Sequence, residues 1–205
     1  MDRAHQGVPD SELWLQAGNQ DGGAFGELFE RHADAVYVHC FRRTASWTRA
    51  EELTSVVFLE AWRHRQSVRL DTDSILPWLL AVANNVIRNA NRSLRRHQRL
   101  LAKLPRPLQA DDFGDDAAGR LDDEREMGHV LSLLETLRAE EQEVIALCDW
   151  AGLSYTQAAT ALDVPVGTVR SRLSRAHEHL RARLGETAEN PHPVAPALQH
   201  PEGET

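Results

Sequence analysis

The 205-residue sequence predicts an all-α protein of two small helical domains joined by an acidic flexible linker. Three observations carry this. Apolar residues recur at spacings of three and four, and Val, Ile and Thr never cluster into alternating strands. Acid and proline concentrate in two segments that lack apolar periodicity. What remains is two bodies, each long enough for a small helical core but not a large one. The expected order is a disordered N-terminus (1–9), a first domain (10–104), the acidic linker (105–126), a second domain (127–184) and a disordered, proline-rich acidic tail (185–205).

Helices are expected over 11–17, 23–45, 50–65 and 74–103 in the first body, and over 125–137, 139–150, 154–162 and 166–184 in the second. Asp73 or Ser74 can cap the fourth, with Pro77 tolerated in its first turn. Gly152 closes the sixth, and Ser154 can cap the seventh.

The formal charge is −8, from 23 basic and 31 acidic side chains, which taken alone argues against a nucleic-acid binder. Its distribution reverses that. Residues 1–110 carry +3 and 127–184 carry −1, while 111–126 carry −6 and 185–205 carry −4. The acidity therefore lies in the linker and tail. Each body ends in a basic segment: seven bases and no acid from Asn84 to Arg106, then Arg170, Arg172, Arg175, Arg181 and Arg183 against the single acid Glu178.

Two cysteines, Cys40 and Cys148, are too few for a disulfide framework and lack metal-site spacing, so a reducing cytoplasm is the expected compartment. Both read as small buried hydrophobes rather than a redox switch. No apolar run approaches the ~18 residues of a membrane span, and no signal-peptide layout opens the chain, so membrane insertion is not expected. No Gly-rich phosphate loop, nucleophile elbow or zinc signature is present. No catalytic centre, cofactor or metal is expected; Asp111, Asp112, Asp115 and Asp116 read as a solvated linker, or as a mimic of nucleic-acid charge, before they read as a divalent-ion site. Trp47, Trp62, Trp78 and Phe58, at helical spacing, read as core before base-stacking platforms.

The fourth helix has two unlike faces. At 100° per residue, Leu79, Val82, Ala83, Val86, Ile87, Ala90 and Leu94 form one apolar stripe, opposite Asn84, Arg88, Asn91, Arg92 and Arg95. Amides hydrogen-bond base edges, and guanidiniums pair with phosphates or stack on bases. A solvated face would interleave both signs; this one carries no acid.

The most specific signal is LSYTQAATALDVPVGTVRSRLSRAHEHL. Tyr155 to Leu162 makes two turns, Asp163-Val164-Pro165 breaks them, and a second helix begins near Val166. Ala158, Leu162, Val164 and Val169 pack the pair, with small Ala159 at the crossing. Asp163 stands where many such motifs have glycine, and aspartate tolerates the left-handed conformation required there. Opposite the second helix's apolar stripe lie Gly167, Ser171 and Ser174, flanked by Thr168, Arg170 and Arg175. Small residues let the backbone sink into a major groove, and arginines reach guanine edges or phosphates. This is a helix-turn-helix DNA-binding module.

The two bodies together resemble a bacterial RNA polymerase sigma factor of the sigma-70 family, in its extracytoplasmic-function (ECF) group. The resemblance rests on EELTSVVFLEAWRHR, LPWLLAVANNVIRNANRSLRR, the acidic linker and LRAEEQEVIALCDWAGLSYTQAATALDVPVGTVRSRLSRAHEHLR. It implies that the first body docks on the β′ coiled coil of core RNA polymerase and opens the −10 promoter element. The second would read the −35 element and contact the β flap, and an anti-sigma factor is the implied inhibitor. Carried onto this sequence, the −10 residues are Asn84, Asn85, Arg88, Asn89, Arg92 and Arg95; the docking helix contributes Glu52, Leu53 and Phe58. Opening a duplex independently calls for amide and basic groups along an unstacked strand. The competing reading is a stand-alone helix-turn-helix regulator, which has no need of the asparagine/arginine face on the first body. A nucleic-acid enzyme using the acidic cluster for metal-dependent chemistry is the third.

Overall fold

The computed structural model describes residues 7–70, 73–101 and 117–189, and every element among them is helical. In order these are α1 (Asp10–Gly18), α2 (Gly22–Thr44), α3 (Trp47–His64), α4 (Leu76–Leu101), α5 (Ala117–Leu134), α6 (Ala139–Val144), α7 (Tyr155–Leu162) and α8 (Val166–Glu189). α6 runs directly into a π-helical turn, Ile145–Trp150.

Local chemistry sets the boundaries. Asp21 caps α2 by accepting from the Gly23 and Ala24 amides at 2.9 and 3.1 Å. Ser154 and Gln157 form a reciprocal capping box at the start of α7. Ser74 accepts from the Leu76 amide at 3.2 Å, and Pro77 sits in the first turn of α4, as expected. Gly152, at φ +70, takes the left-handed conformation that ends the π-turn. Asp163 adopts φ 52 and ψ 50 in the turn between α7 and α8, as expected for a residue in the glycine position.

In the first body α1–α4 pack around Leu13, Leu28, Val36, Val57, Leu79, Leu80 and Ile87, all nearly or fully buried. The aromatic residues belong to this packing. Trp47 stacks on Phe41 with centroids 3.6 Å apart, Trp62 meets Phe25 at 5.0 Å, and Trp78 meets Trp14 at 5.3 Å. Buried Asp10 ties α1 down: its carboxylate takes His32 at 2.6 Å, Arg31 at 3.2 Å and the Ile75 amide at 3.1 Å. Burial pushes this carboxyl up, but the Ile75 amide, His32 and Arg31 more than offset that and hold it below its ordinary value. The start of α4 is thus fixed from the far end of the chain.

Two expectations are corrected here. The stretch 105–126 was expected to be unstructured, yet α5 begins within it at Ala117. Its acidic Glu124 is a structural acceptor, taking the Trp47 backbone amide at 2.7 Å. Met127, Val130, Leu131 and Leu134 then follow at helical spacing against the core. α8 also continues past 184 to Glu189. The Asp111, Asp112, Asp115 and Asp116 cluster and most of the tail lie outside the described residues.

The two bodies also touch. α4 packs on α7, α2 on α5, and α2 on the π-turn, so the buried apolar cluster is continuous between them. Arg42 of α2 donates to the Trp150 carbonyl at 2.7 Å, across this contact.

Candidate nucleic-acid interface

α8 is held from behind and open in front. Val169, Leu173 and Ala176 are buried against α6 and α7. His177 meets the Asp149 carboxylate of the π-turn at 2.7 Å, and His179 approaches Glu141 at 3.7 Å. On the other side Gly167, Arg170, Ser171, Ser174 and Arg175 are exposed and Thr168 is half-buried. Their bonds stay local: the Ser171 hydroxyl donates to the Thr168 carbonyl, and Arg175 Nε donates to the Ser171 carbonyl at 3.2 Å. A Cβ at Gly167 would meet no atom within 4 Å, so packing within the chain does not demand glycine there. All six sequence-derived residues therefore share one accessible face, rigidly backed, with arginines beside small side chains.

α4 is different. Its polar side divides into two neighbouring stripes. Asn85, Asn89, Arg92 and Arg96 are exposed. Asn84, Arg88 and Asn91 turn toward the rest of the molecule. Asn84 is 2% exposed and its Oδ1 lies 3.0 Å from His39 Nε2. The expectation that Asn84 contacts DNA is corrected: its amide is an internal partner that fixes α4 on α2. Burial pushes His39 down to about 4, so the imidazole is neutral, with the Asn84 bond opposing and the Arg42 and Arg43 charges adding to the shift. Asn91 accepts from Arg49 at 3.0 Å. Arg88, half-exposed, pairs with Glu143 of α6 at 2.5 Å.

On α3 the expectation is also corrected in part. Glu52 is exposed, but Leu53 and Phe58 are core residues, Phe58 in edge contact with Phe25 and Phe29. The accessible apolar groups on this helix are Val56 and Leu59, 41% and 48% exposed. The helical angle carried that signal: Glu52, Val56 and Leu59 fall within about 60° of one another, opposite the buried stripe.

Two family models match the chain: sigma-70 region 2 over residues 28–100 and sigma-70 region 4 over 128–180. The RNA polymerase sigma factor CarQ of Myxococcus xanthus is 30% identical over 169 residues, covering 82% of this chain and 92% of CarQ. The chain belongs to the sigma-70 family, in its ECF group. The ECF RNA polymerase sigma factor SigE of Mycolicibacterium smegmatis is likewise 30% identical over 164 residues, 80% of this chain and 62% of SigE. Among solved structures, CnrH in complex with the cytosolic domain of CnrY superposes with a TM-score of 0.64 at 26% identity, covering 87% of this chain and 98% of that one. The sigma factor RpoE from Bartonella quintana, at 21% identity and a TM-score of 0.57, shares the fold.

In this sigma factor, region 2 spans α2 to α4 and region 4 runs from α5 to α8, so the two polar faces fall one in each conserved region. Burial pushes Cys40 up to about 11, and burial with the Asp149 charge raises Cys148, so neither supplies a ready thiolate. No group of three or more candidate ligands that could hold a metal occurs among the described residues, and no described helix is long and apolar enough to cross a membrane.

Proposed function

We propose that this promoter-recognising sigma factor divides its work between the two faces. α8 enters the major groove of the −35 element, with Arg170 and Arg175 on base edges or phosphates and Gly167, Ser171 and Ser174 allowing close approach; Thr168 lies at the margin. Asn85, Asn89 and Arg92, joined by Arg88 and Arg95, track the opened −10 strand. The outer face of α3, with Glu52, Val56 and Leu59, docks on core RNA polymerase, while Leu53 and Phe58 hold that face in place from the core. The protein acts in the cytoplasm as an initiation subunit and has no catalytic centre of its own. CnrH and RpoE were solved with partners, the cytosolic domain of CnrY and the anti-sigma factor NepR. An anti-sigma factor is the corresponding partner proposed for this chain.

The carrying observation is the open front of α8, where Arg170 and Arg175 stand exposed beside Gly167, Ser171 and Ser174, in a chain whose other polar face lies on the region 2 helix. Transcription by core polymerase on a promoter library tests the reading. Polymerase saturated with this protein should initiate at a new class of promoters. Initiation nowhere new would overturn it.

A further inference from the structure

Glu143 is the least expected acid in the molecule. It lies on α6 beside Val144 and Ile145, is 6% exposed, and reaches across to Arg88 on α4, a helix of the other body. A buried carboxylate is costly unless it is paired or hydrogen-bonded, and Glu143 finds its cation in Arg88 of the first body. Arg43 of α2 lies close enough for mutual influence, its Nε buried without a hydrogen-bond partner. Burial pulls Arg43 below its ordinary value and the Glu143 charge opposes that.

Around this pair lies a cleft of about 480 Å³ between the bodies. Arg43, Arg88, Arg92 and Arg96 line one wall, and Gln142 and Glu143 the other. Four guanidiniums against one carboxylate leave the cleft strongly electropositive, a setting suited to phosphate. An Arg88 held by Glu143 has part of its charge and one guanidinium nitrogen already engaged, and so offers less to a DNA phosphate. The bodies are also joined by the α4–α7 packing and by the Arg42–Trp150 carbonyl bond.

We propose that Glu143 is an internal substitute for DNA phosphate, a latch that keeps the inner stripe of α4 covered in the free chain. This rests on the reading that α4 meets the −10 strand. Polymerase, by holding the bodies apart, releases Arg88 for DNA.

The test uses the full-length protein, a fluorescent random-sequence single-stranded DNA oligonucleotide as probe, and small-angle X-ray scattering. Glu143→Gln should raise the free chain's affinity for the probe about three-fold and enlarge its radius of gyration. Promoter use with saturating core polymerase should stay unchanged. Unchanged affinity and radius in Glu143→Gln overturn the latch. Arg88→Ala should also expand the chain, but with weaker DNA binding. If it expands the chain and leaves DNA binding intact, Glu143 does not stand in for phosphate on Arg88 and the proposal is overturned. The charge swap Arg88→Glu with Glu143→Arg should restore the compact radius without restoring DNA affinity; failure to recompact counts against a direct ion pair.

Discussion

The two polar faces of this sigma factor are built alike in sequence and differently in space. On α8 the small and basic residues stand clear of the protein, and the helix is anchored only from behind. On α4 half of the corresponding face is spent on internal bonds: Asn84 to His39, Arg88 to Glu143 and Asn91 to Arg49. The difference suits the ligands proposed for them. A rigid, open helix can meet intact duplex directly, whereas a face for an unstacked strand is needed only after polymerase has brought the promoter into place.

The largest effect that sharpens this contrast concerns the inner stripe of α4. His39 is held at about 4 in the folded protein against 6.5 as an ordinary imidazole. The folded value is depressed, so the unfolded chain binds the extra proton between those pH values. The stability owed to neutral His39 is complete above pH 6.5 and falls as pH drops toward 4, by about 3 kcal/mol in all. Urea unfolding at pH 7 and pH 5 should show a loss of about 2 kcal/mol that His39→Gln flattens. An equal pH slope in both proteins would remove His39 from the account.

Next is Arg175→Ala, on the open face. It should weaken −35-dependent transcription by about 1–3 kcal/mol if the guanidinium makes a bidentate base contact. Uniform weakening at all promoters would make Arg175 a phosphate clamp instead. The unfolding midpoint should not move, because Arg175 bonds only to its own helix.

Gly167→Ala separates fold from function on that same face. With open space around the added methyl, the helix should gain about 0.5 kcal/mol of stability while affinity for −35 duplex falls. Unchanged affinity would show that the backbone does not approach DNA closely there. The smallest change is Asp163→Gly in the turn, which relieves a left-handed non-glycine residue and should stabilise the protein by about 0.5 kcal/mol without altering promoter choice.

What the sequence revealed and what it hid follow one physical line. Caps and turns were legible because they are local: Ser154, Gly152 and Asp163 each answer to neighbours within a few residues. On α8 the exposure of Gly167, Arg170, Ser171, Ser174 and Arg175 was legible because the apolar stripe of that helix alone decides which side is buried. Asn84 and Asn85 are adjacent, both amides, and both on the polar side of α4; only His39, 45 residues away, decides that one is interior. The Glu143 contact spans 55 residues and joins helices whose own patterns do not name each other. On α5 the stripe from Met127 to Leu134 lay within the helix expected over 125–137; only its first turns, from Ala117, were obscured by their acidic composition. On α3 the error was of a different kind: Leu53 and Phe58 came with the resemblance, while the angle already placed Val56 and Leu59 outside.

The central claim, one face for each promoter element, is tested most directly by pairing protein and promoter substitutions in the polymerase-bound state. Arg175→Ala and Arg92→Ala are each measured on promoters altered at the −35 or the −10 element. The account predicts energetic coupling between Arg175 and −35 bases, and between Arg92 and the −10 strand, with the crossed pairs additive. Coupling of Arg92 to −35 bases, or of Arg175 to the −10 strand, would contradict it.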